Sequence, residues 1–209
     1  GSGMMLKDKI LFLTGGSTGI GFDCAKAYAA EGAKIVLCAR HEEEAQKAAA
    51  SLPGEHHGIY CDVSVGDDVE KAIAFVMETF GRLDGIHNNA GIASPSKPVH
   101  ETSPEEWDAL TSINLKSVYW TTRYGYEHLK AAKGCILNTS SLVGVIGQAN
   151  HAAYTATKGA MNTLTKSMAL DYAEDGIRVN AVCPAGTWTP MLRTWCSEQP
   201  DPAGIEQYL

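Results

Sequence analysis

Six short apolar runs alternate with stretches of helical periodicity, and this alternation constrains the fold more than any other feature of the chain. The first run, Lys9-Ile-Leu-Phe-Leu-Thr14, has no polar residue at every second position. That is the pattern of a strand buried on both faces. Lys34 to Cys38, His57 to Cys61, Leu83 to Asn88, Cys135 to Asn138 and Ile177 to Val182 read as the other strands. Helical patterns fill the gaps: Ile20 to Glu31, Glu42 to Ser51, Asp67 to Phe80, Pro104 towards Ala132, and Ala152 to Ala173. Ser103 ahead of Pro104 suits a helix start. Crossovers of about ten or more residues join strands that run the same way. The expected fold class is therefore α/β: a Rossmann-type doubly wound parallel sheet, three-layer α/β/α, in a single domain.

A chain of 209 residues suffices for one domain with a sizeable core. Gly1-Ser2-Gly3 reads as a tag remnant before a native start at Met4 or Met5, leaving one domain over residues 4–209. No apolar run approaches the roughly 20 residues of a membrane span. The net charge of −7, with no Lys/Arg-rich run, argues against a nucleic-acid partner. None of the six cysteines forms a C-x-x-C pair, and no residue cluster has metal-ligand spacing, so no metal is expected. Four of them sit in strand-like runs, where a reduced cysteine acts as a small hydrophobe. A reducing, cytoplasmic setting is the simplest expectation.

Two stretches carry chemistry. Tyr154 and Lys158 are four apart, so on a helix they share one face a turn apart. A free phenol, with a pKa of about 10, is a poor base near neutrality. A neighbouring ammonium favours the phenolate and makes it a usable acid/base. Ser141, upstream at a strand end, could hold a carbonyl oxygen. Taken alone, the pair also fits a surface Tyr and Lys on an ordinary helix. The second stretch, Thr14-Gly15-Gly16-Ser17-Thr18-Gly19-Ile20-Gly21, follows the first strand. Glycines there let a backbone turn tightly against a pyrophosphate at a helix N-terminus. The turn lacks the Gly-Lys-Ser/Thr ending of a P-loop, which disfavours ATP or GTP.

These stretches join three others in order: Asn88-Asn89-Ala90-Gly91, Asn114 within Ile113-Asn114-Leu115, and Pro184-Ala185-Gly186-Thr187-Trp188-Thr189. Together they resemble the short-chain dehydrogenase/reductase family over about Lys9 to Pro190. Ser140 to Gln148 and Trp188-Thr-Pro190 are similar to its L-fucose dehydrogenase-like and 17β-hydroxysteroid dehydrogenase-like members. The resemblance implies an NAD(P)-dependent oxidoreductase acting on a secondary alcohol or ketone. Its catalytic set would be Asn114, Ser141, Tyr154 and Lys158, with Tyr154 the general acid/base, Lys158 tuning it and holding the nicotinamide ribose, Ser141 polarising the carbonyl and Asn114 holding a relay water. The family's spacing selects Ser141 over Ser140.

The same resemblance places a cofactor against Gly15, Ser17, Thr18, Gly19, Ile20 and Gly21, with Asp62 at the adenine amino group beside Val63. Asn89, Ala90 and Gly91 would line the adenosine-ribose side. Tyr154, Lys158, Pro184, Gly186, Thr187 and Thr189 complete the set. The second strand should end near the adenosine ribose, where an acid indicates NAD. Here Ala39 and Arg40 stand instead, and Arg40 suits a 2′-phosphate, so NADP(H) is favoured with NAD(H) possible. Gln148 and Trp188, with Ser141 and Tyr154, are candidates to line the substrate pocket. The different-class alternative is a non-catalytic NAD(P)-binding regulatory protein of the same fold. Family members commonly pair through their two long helices, which implies a homodimer or homotetramer. They also continue into a further strand and helix, which this chain is expected to lack.

Overall fold

A strand without polar alternation must be covered on both faces. β1 (Ile10–Thr14) meets that condition, with all five residues buried, in the computed structural model, which describes residues 4–92, 96–140, 149–184 and 205–208. Leu11 and Leu13 point into a core shared with Cys24, Ala25 and Tyr28 of α1 (Gly19–Ala30) and with Ala45 and Ala48 of α2 (Glu42–Ala50). Ile10 and Phe12 point the other way, against Val69, Ile73 and Val76 of α3 (Gly66–Phe80). The next strand, β2 (Lys34–Ala39), repeats the division, with Ile35 and Leu37 on one face and Val36 and Cys38 on the other. The period of two that places side chains on alternate faces thus feeds two separate cores.

β1 sits between β2 and β4 (Gly85–Asn88), with β3 (His56–Tyr60) outside β2. On the far side follow β5 (Cys135–Thr139), β6 (Arg178–Pro184) and β7 (Ile205–Tyr208), and every pair is parallel. The order β3-β2-β1-β4-β5-β6-β7 reverses its direction of travel at β1. That reversal opens a crevice beyond the carboxyl ends of β1 and β4, the place where open α/β sheets bind ligands. The architecture is the expected doubly wound α/β/α sandwich.

The structure differs from the sequence reading in three places. A seventh strand, β7, extends the sheet where none was expected. Its four residues, Ile-Glu-Gln-Tyr, carry too little apolar pattern to announce a strand. The long helix expected from Pro104 is also not uniform. α4 (Pro104–Thr111) is capped by Ser103, whose hydroxyl accepts from the Glu106 N–H, and gives way to a five-residue π-helical turn over Ser112–Lys116. α5 (Ser117–Ala132) then continues. Hydrophobic periodicity cannot register a single widened turn, although such turns cluster at functional sites. Finally, Cys24, Cys38 and Cys61 are free and buried, but Cys135 is disulfide-bonded, contrary to a fully reduced set. The last long helix, α6 (Ala152–Tyr172), packs on β6 and carries Tyr154 and Lys158.

Candidate functional site

The glycine turn is built by close backbone packing. Gly15 has φ +63°, a region open to glycine at little cost, and a Cβ there would lie 3.0 Å from the Ala90 Cα. Gly21, in the first turn of α1, is more constrained still. A Cβ on it would fall 1.9 Å from the Gly15 carbonyl oxygen and 2.6 Å from Asn89 Nδ2. The motif glycines therefore let the turn, the helix start and the segment after β4 share one small space. Thr14 ties them together, its hydroxyl oxygen accepting from the N–H groups of both Asn89 and Ala90 at 3.0 Å. Asn89 donates from Nδ2 to the Gly15 carbonyl at 3.3 Å.

A cleft of about 240 Å³ opens there, at the carboxyl ends of β1, β2, β3 and β4. Of the residues anticipated from the sequence, Gly15, Ser17, Thr18, Arg40, Asp62, Val63, Ala90 and Gly91 line it. Gly19, Ile20, Gly21 and Asn89 stand behind or beside it. Arg40 is exposed and has no carboxylate partner among the described residues. One oxygen of Asp62 is engaged, with Oδ1 accepting from the Ser64 N–H at 3.0 Å and its hydroxyl at 2.6 Å. The sequence reading missed His41, Glu44, Cys38, Cys61, Ile92 and Ile113 as lining residues. Strand-end position could have flagged Cys38 and Cys61. Nothing local distinguishes Ile92 or Ile113.

The second half of the site adjoins the first. Lys158 is buried, and among the described residues it has no acid and no hydrogen-bond acceptor. Desolvation pulls its pKa below the usual lysine value. Its Nζ lies 5.8 Å from the ring centre of half-buried Tyr154, one helical turn earlier. A Cβ on Gly91 would sit 3.6 Å from that Nζ and 3.3 Å from Asn114 Oδ1, so the wall of the nucleotide-sized cleft touches the Lys158 and Asn114 side chains directly. Asn114, on the π turn, is buried and clasps the Ile92 backbone both ways. Its Oδ1 accepts from the Ile92 N–H at 2.7 Å, and its Nδ2 donates to the Ile92 carbonyl at 2.8 Å.

Ser140 at the end of β5 is committed elsewhere. Its hydroxyl donates to Asn162 Oδ1 on α6, and its N–H to the Val182 carbonyl at 2.7 Å. Pro184 ends β6. Ser141, Gln148, Gly186, Thr187, Trp188 and Thr189 lie outside the described residues.

A glycine turn packed onto a helix N-terminus, at the switch point of a parallel sheet, defines a dinucleotide-binding oxidoreductase architecture. The comparisons narrow that class. The chain matches the short chain dehydrogenase family over residues 9–200. It is 38% identical to L-fucose dehydrogenase of Bos taurus, over 93% of this chain and 72% of the relative. It is 39% identical to meso-2,3-butanediol dehydrogenase of Serratia marcescens, over 93% and 78%. Among solved structures, a 3-ketoacyl-(acyl-carrier-protein) reductase from Brucella melitensis complexed with NADH superposes with a TM-score of 0.84 at 33% identity. That match covers 91% of this chain and 80% of the other. The chain belongs to the short-chain dehydrogenase/reductase family and is a nicotinamide-dependent oxidoreductase.

Proposed function

We propose that this enzyme interconverts a secondary alcohol and a ketone, with Tyr154 as general acid/base, Lys158 tuning it and Ser141 polarising the substrate oxygen. The observation that carries this reading is Lys158. It is a buried ammonium with no counter-charge among the described residues, one turn from a half-buried phenol, and it abuts the wall of the cleft. A fold tolerates such a cation where something else uses it. When bound, nicotinamide would accept or supply the hydride. The chain's own residues do the rest. In oxidation, the Tyr154 oxygen takes the alcohol proton, with the Lys158 ammonium one turn away on the same helix face. The Ser141 hydroxyl donates to the substrate oxygen. Both ends of the Asn114 amide are used by Ile92, so Asn114 would hold a relay water through its main-chain carbonyl. Tyr154→Phe should cut turnover by about 10²- to 10⁴-fold while cofactor affinity stays within twofold. Wild-type turnover in that variant would refute the assignment.

The cleft fits the adenosine half of a dinucleotide, with the glycine turn at one end and Asp62 and Arg40 at the other. Arg40, exposed beside Ala39 and without a carboxylate partner among the described residues, supports NADP(H) over NAD(H). Comparing KM for the two cofactors tests it, and a clear preference for NAD would refute the role given to Arg40. Gln148 and Trp188 would line the substrate side. The relatives named for a sugar and a diol point to a polyhydroxy or cyclic secondary alcohol as substrate class. A homodimer or homotetramer is the proposed assembly, supported by an apolar groove of about 430 Å³ between α5 and α6, lined by Val118, Tyr119, Tyr126, Leu164, Met168 and Tyr172. Light scattering tests this, and a monomer at micromolar concentration would refute it. A cytosolic setting is proposed on the free, buried Cys24, Cys38 and Cys61, with the disulfide at Cys135 the observation against it. No helix among the described residues is long and apolar enough to cross a membrane.

A further inference from the structure

A second set of polar side chains, buried at Tyr28 and His87 and half-buried at Thr139 and Asn89, connects to the glycine turn. His87 on β4 is completely buried. Its Nδ1 lies 2.8 Å from the Tyr28 hydroxyl on α1, and its Nε2 lies 2.8 Å from Thr139 Oγ1 at the end of β5. Thr139 Oγ1 in turn lies 3.0 Å from Asn89 Oδ1, and Asn89 Nδ2 reaches the Gly15 carbonyl at 3.3 Å.

The direction of every bond in this chain is determined from its cofactor end. The Gly15 carbonyl can only accept, so the Asn89 amide nitrogen must face it and Oδ1 must face Thr139. The Thr139 hydroxyl spends its one proton on Oδ1 and must accept from His87 Nε2–H. A neutral imidazole protonated at Nε2 has an acceptor at Nδ1, which takes the proton of the Tyr28 hydroxyl. Burial holds His87 down to about 3, so the ring stays neutral at working pH and this polarity is fixed. The chain ends on residues that shape the cleft: Gly15 lines it, and Asn89 is followed by the lining residues Ala90 and Gly91.

We propose that His87 is a positioning residue for the cofactor, acting through Thr139 and Asn89 to fix the glycine turn in its binding geometry. The proposal rests on the reading of the cleft as the dinucleotide site. Removing the Nε2–H donor leaves the Thr139 hydroxyl without its orienting partner. The Asn89 amide then loses the contact that aims its nitrogen at Gly15, and both walls of the cleft are loosened. Among the described residues, Tyr154, Lys158 and Asn114 share no hydrogen bond with this chain, so the effect should fall on cofactor binding rather than on the chemical step.

The test uses NADH and NADPH, taking whichever binds the wild-type chain more tightly. His87→Leu and Thr139→Val should each raise its Kd and KM about tenfold, with kcat at saturating cofactor within twofold of wild type. His87→Gln keeps an N–H near the Nε2 position and should recover most of the affinity. Val76→Ala, a cavity on the opposite face of the sheet, serves as control for lost stability alone. Should His87→Leu fail to fold, Thr139→Val carries the test. Wild-type affinity in Thr139→Val would overturn the proposal, as would an affinity loss no greater than that of Val76→Ala at equal Tm. A wild-type chain that binds neither nucleotide would overturn the reading of the cleft itself, and this inference with it.

Discussion

Substituting Gly21 by Ala adds one methyl at the most crowded point of the cofactor end. The added carbon would start 1.9 Å from the Gly15 carbonyl oxygen and 2.6 Å from Asn89 Nδ2, between the two partners of a hydrogen bond. Ordinary carbon–oxygen contacts begin at about 3.3 Å, so the turn and helix α1 must separate by about 1.4 Å. Overpacking of this kind costs about 1–3 kcal/mol. Alanine's better helix propensity returns up to about 1 kcal/mol, because Gly21 lies within α1. The net loss of up to about 3 kcal/mol corresponds to a fall in Tm of no more than about 12 °C for a chain of this size. Binding should suffer more than stability, because a displacement of about 1 Å at a positioning group can cost about a hundredfold. Gly21→Ala is therefore expected to remain folded while the Kd for NADH or NADPH, read by cofactor fluorescence, rises about 10- to 100-fold. A Kd within twofold of wild type would refute the argument that this glycine is required by the approach of the turn to the helix.

Lys158→Met should abolish turnover and yet raise the Tm of the cofactor-free chain. Burial depresses the native pKa of Lys158 below its unfolded value, so the native state carries a desolvated charge at neutral pH and alkali relieves that penalty. The gain in Tm should shrink as pH rises towards the unfolded lysine value of about 10, and a lower Tm in the variant at pH 7 would contradict this. The acid limb has the opposite sign. His87 is held at about 3 against an ordinary 6.5, so the unfolded chain binds a proton that the native chain does not. Stability is full above pH 6.5 and falls as pH drops towards 3, by up to about 5 kcal/mol from this residue. Urea unfolding at stepped pH should show a flatter acid limb in His87→Gln, and identical slopes would refute the assignment.

Much of this site was legible because its parts are local in sequence. The glycine turn, Asn88 to Gly91 and Tyr154-x-x-x-Lys158 are each short, and each sits at a strand end or on one helix face. Each stretch was readable by its local position, and the family resemblance joined them into one site. Arg40 followed from its place after the second strand, whereas Asp62 was implied by the family resemblance. What could not be read depends on contacts between distant segments. Asn114 was visible as a motif residue, but the widened turn that carries it was not, since one π turn leaves apolar periodicity nearly unchanged. His87 looked like an ordinary strand residue. Its role emerges only when Tyr28 of α1 and Thr139 of β5 arrive beside it and Asn89. β7 escaped notice because four residues with one central pair of polar side chains do not distinguish a strand from a turn.

Two buried ionisable groups flank the cleft, and the same desolvation acts on them with different consequences. His87 is surrounded by partners that are complete only when it is neutral, so its depressed pKa removes the charge and leaves a rigid, directional hydrogen-bond chain. Lys158 has no such partners among the described residues, and its charge is the property the proposed chemistry needs. Packing a neutral imidazole behind the phosphate turn stabilises the cofactor-free fold, whereas burying the lysine works against it. Cofactor binding should then stabilise the chain more strongly than contact area alone suggests, because ribose hydroxyls would give Lys158 its first acceptors. A Lys158→Met chain should therefore gain fewer degrees of Tm from saturating cofactor than wild type gains. Equal gains would mean that the buried ammonium is satisfied some other way, and the account of Lys158 would have to be abandoned.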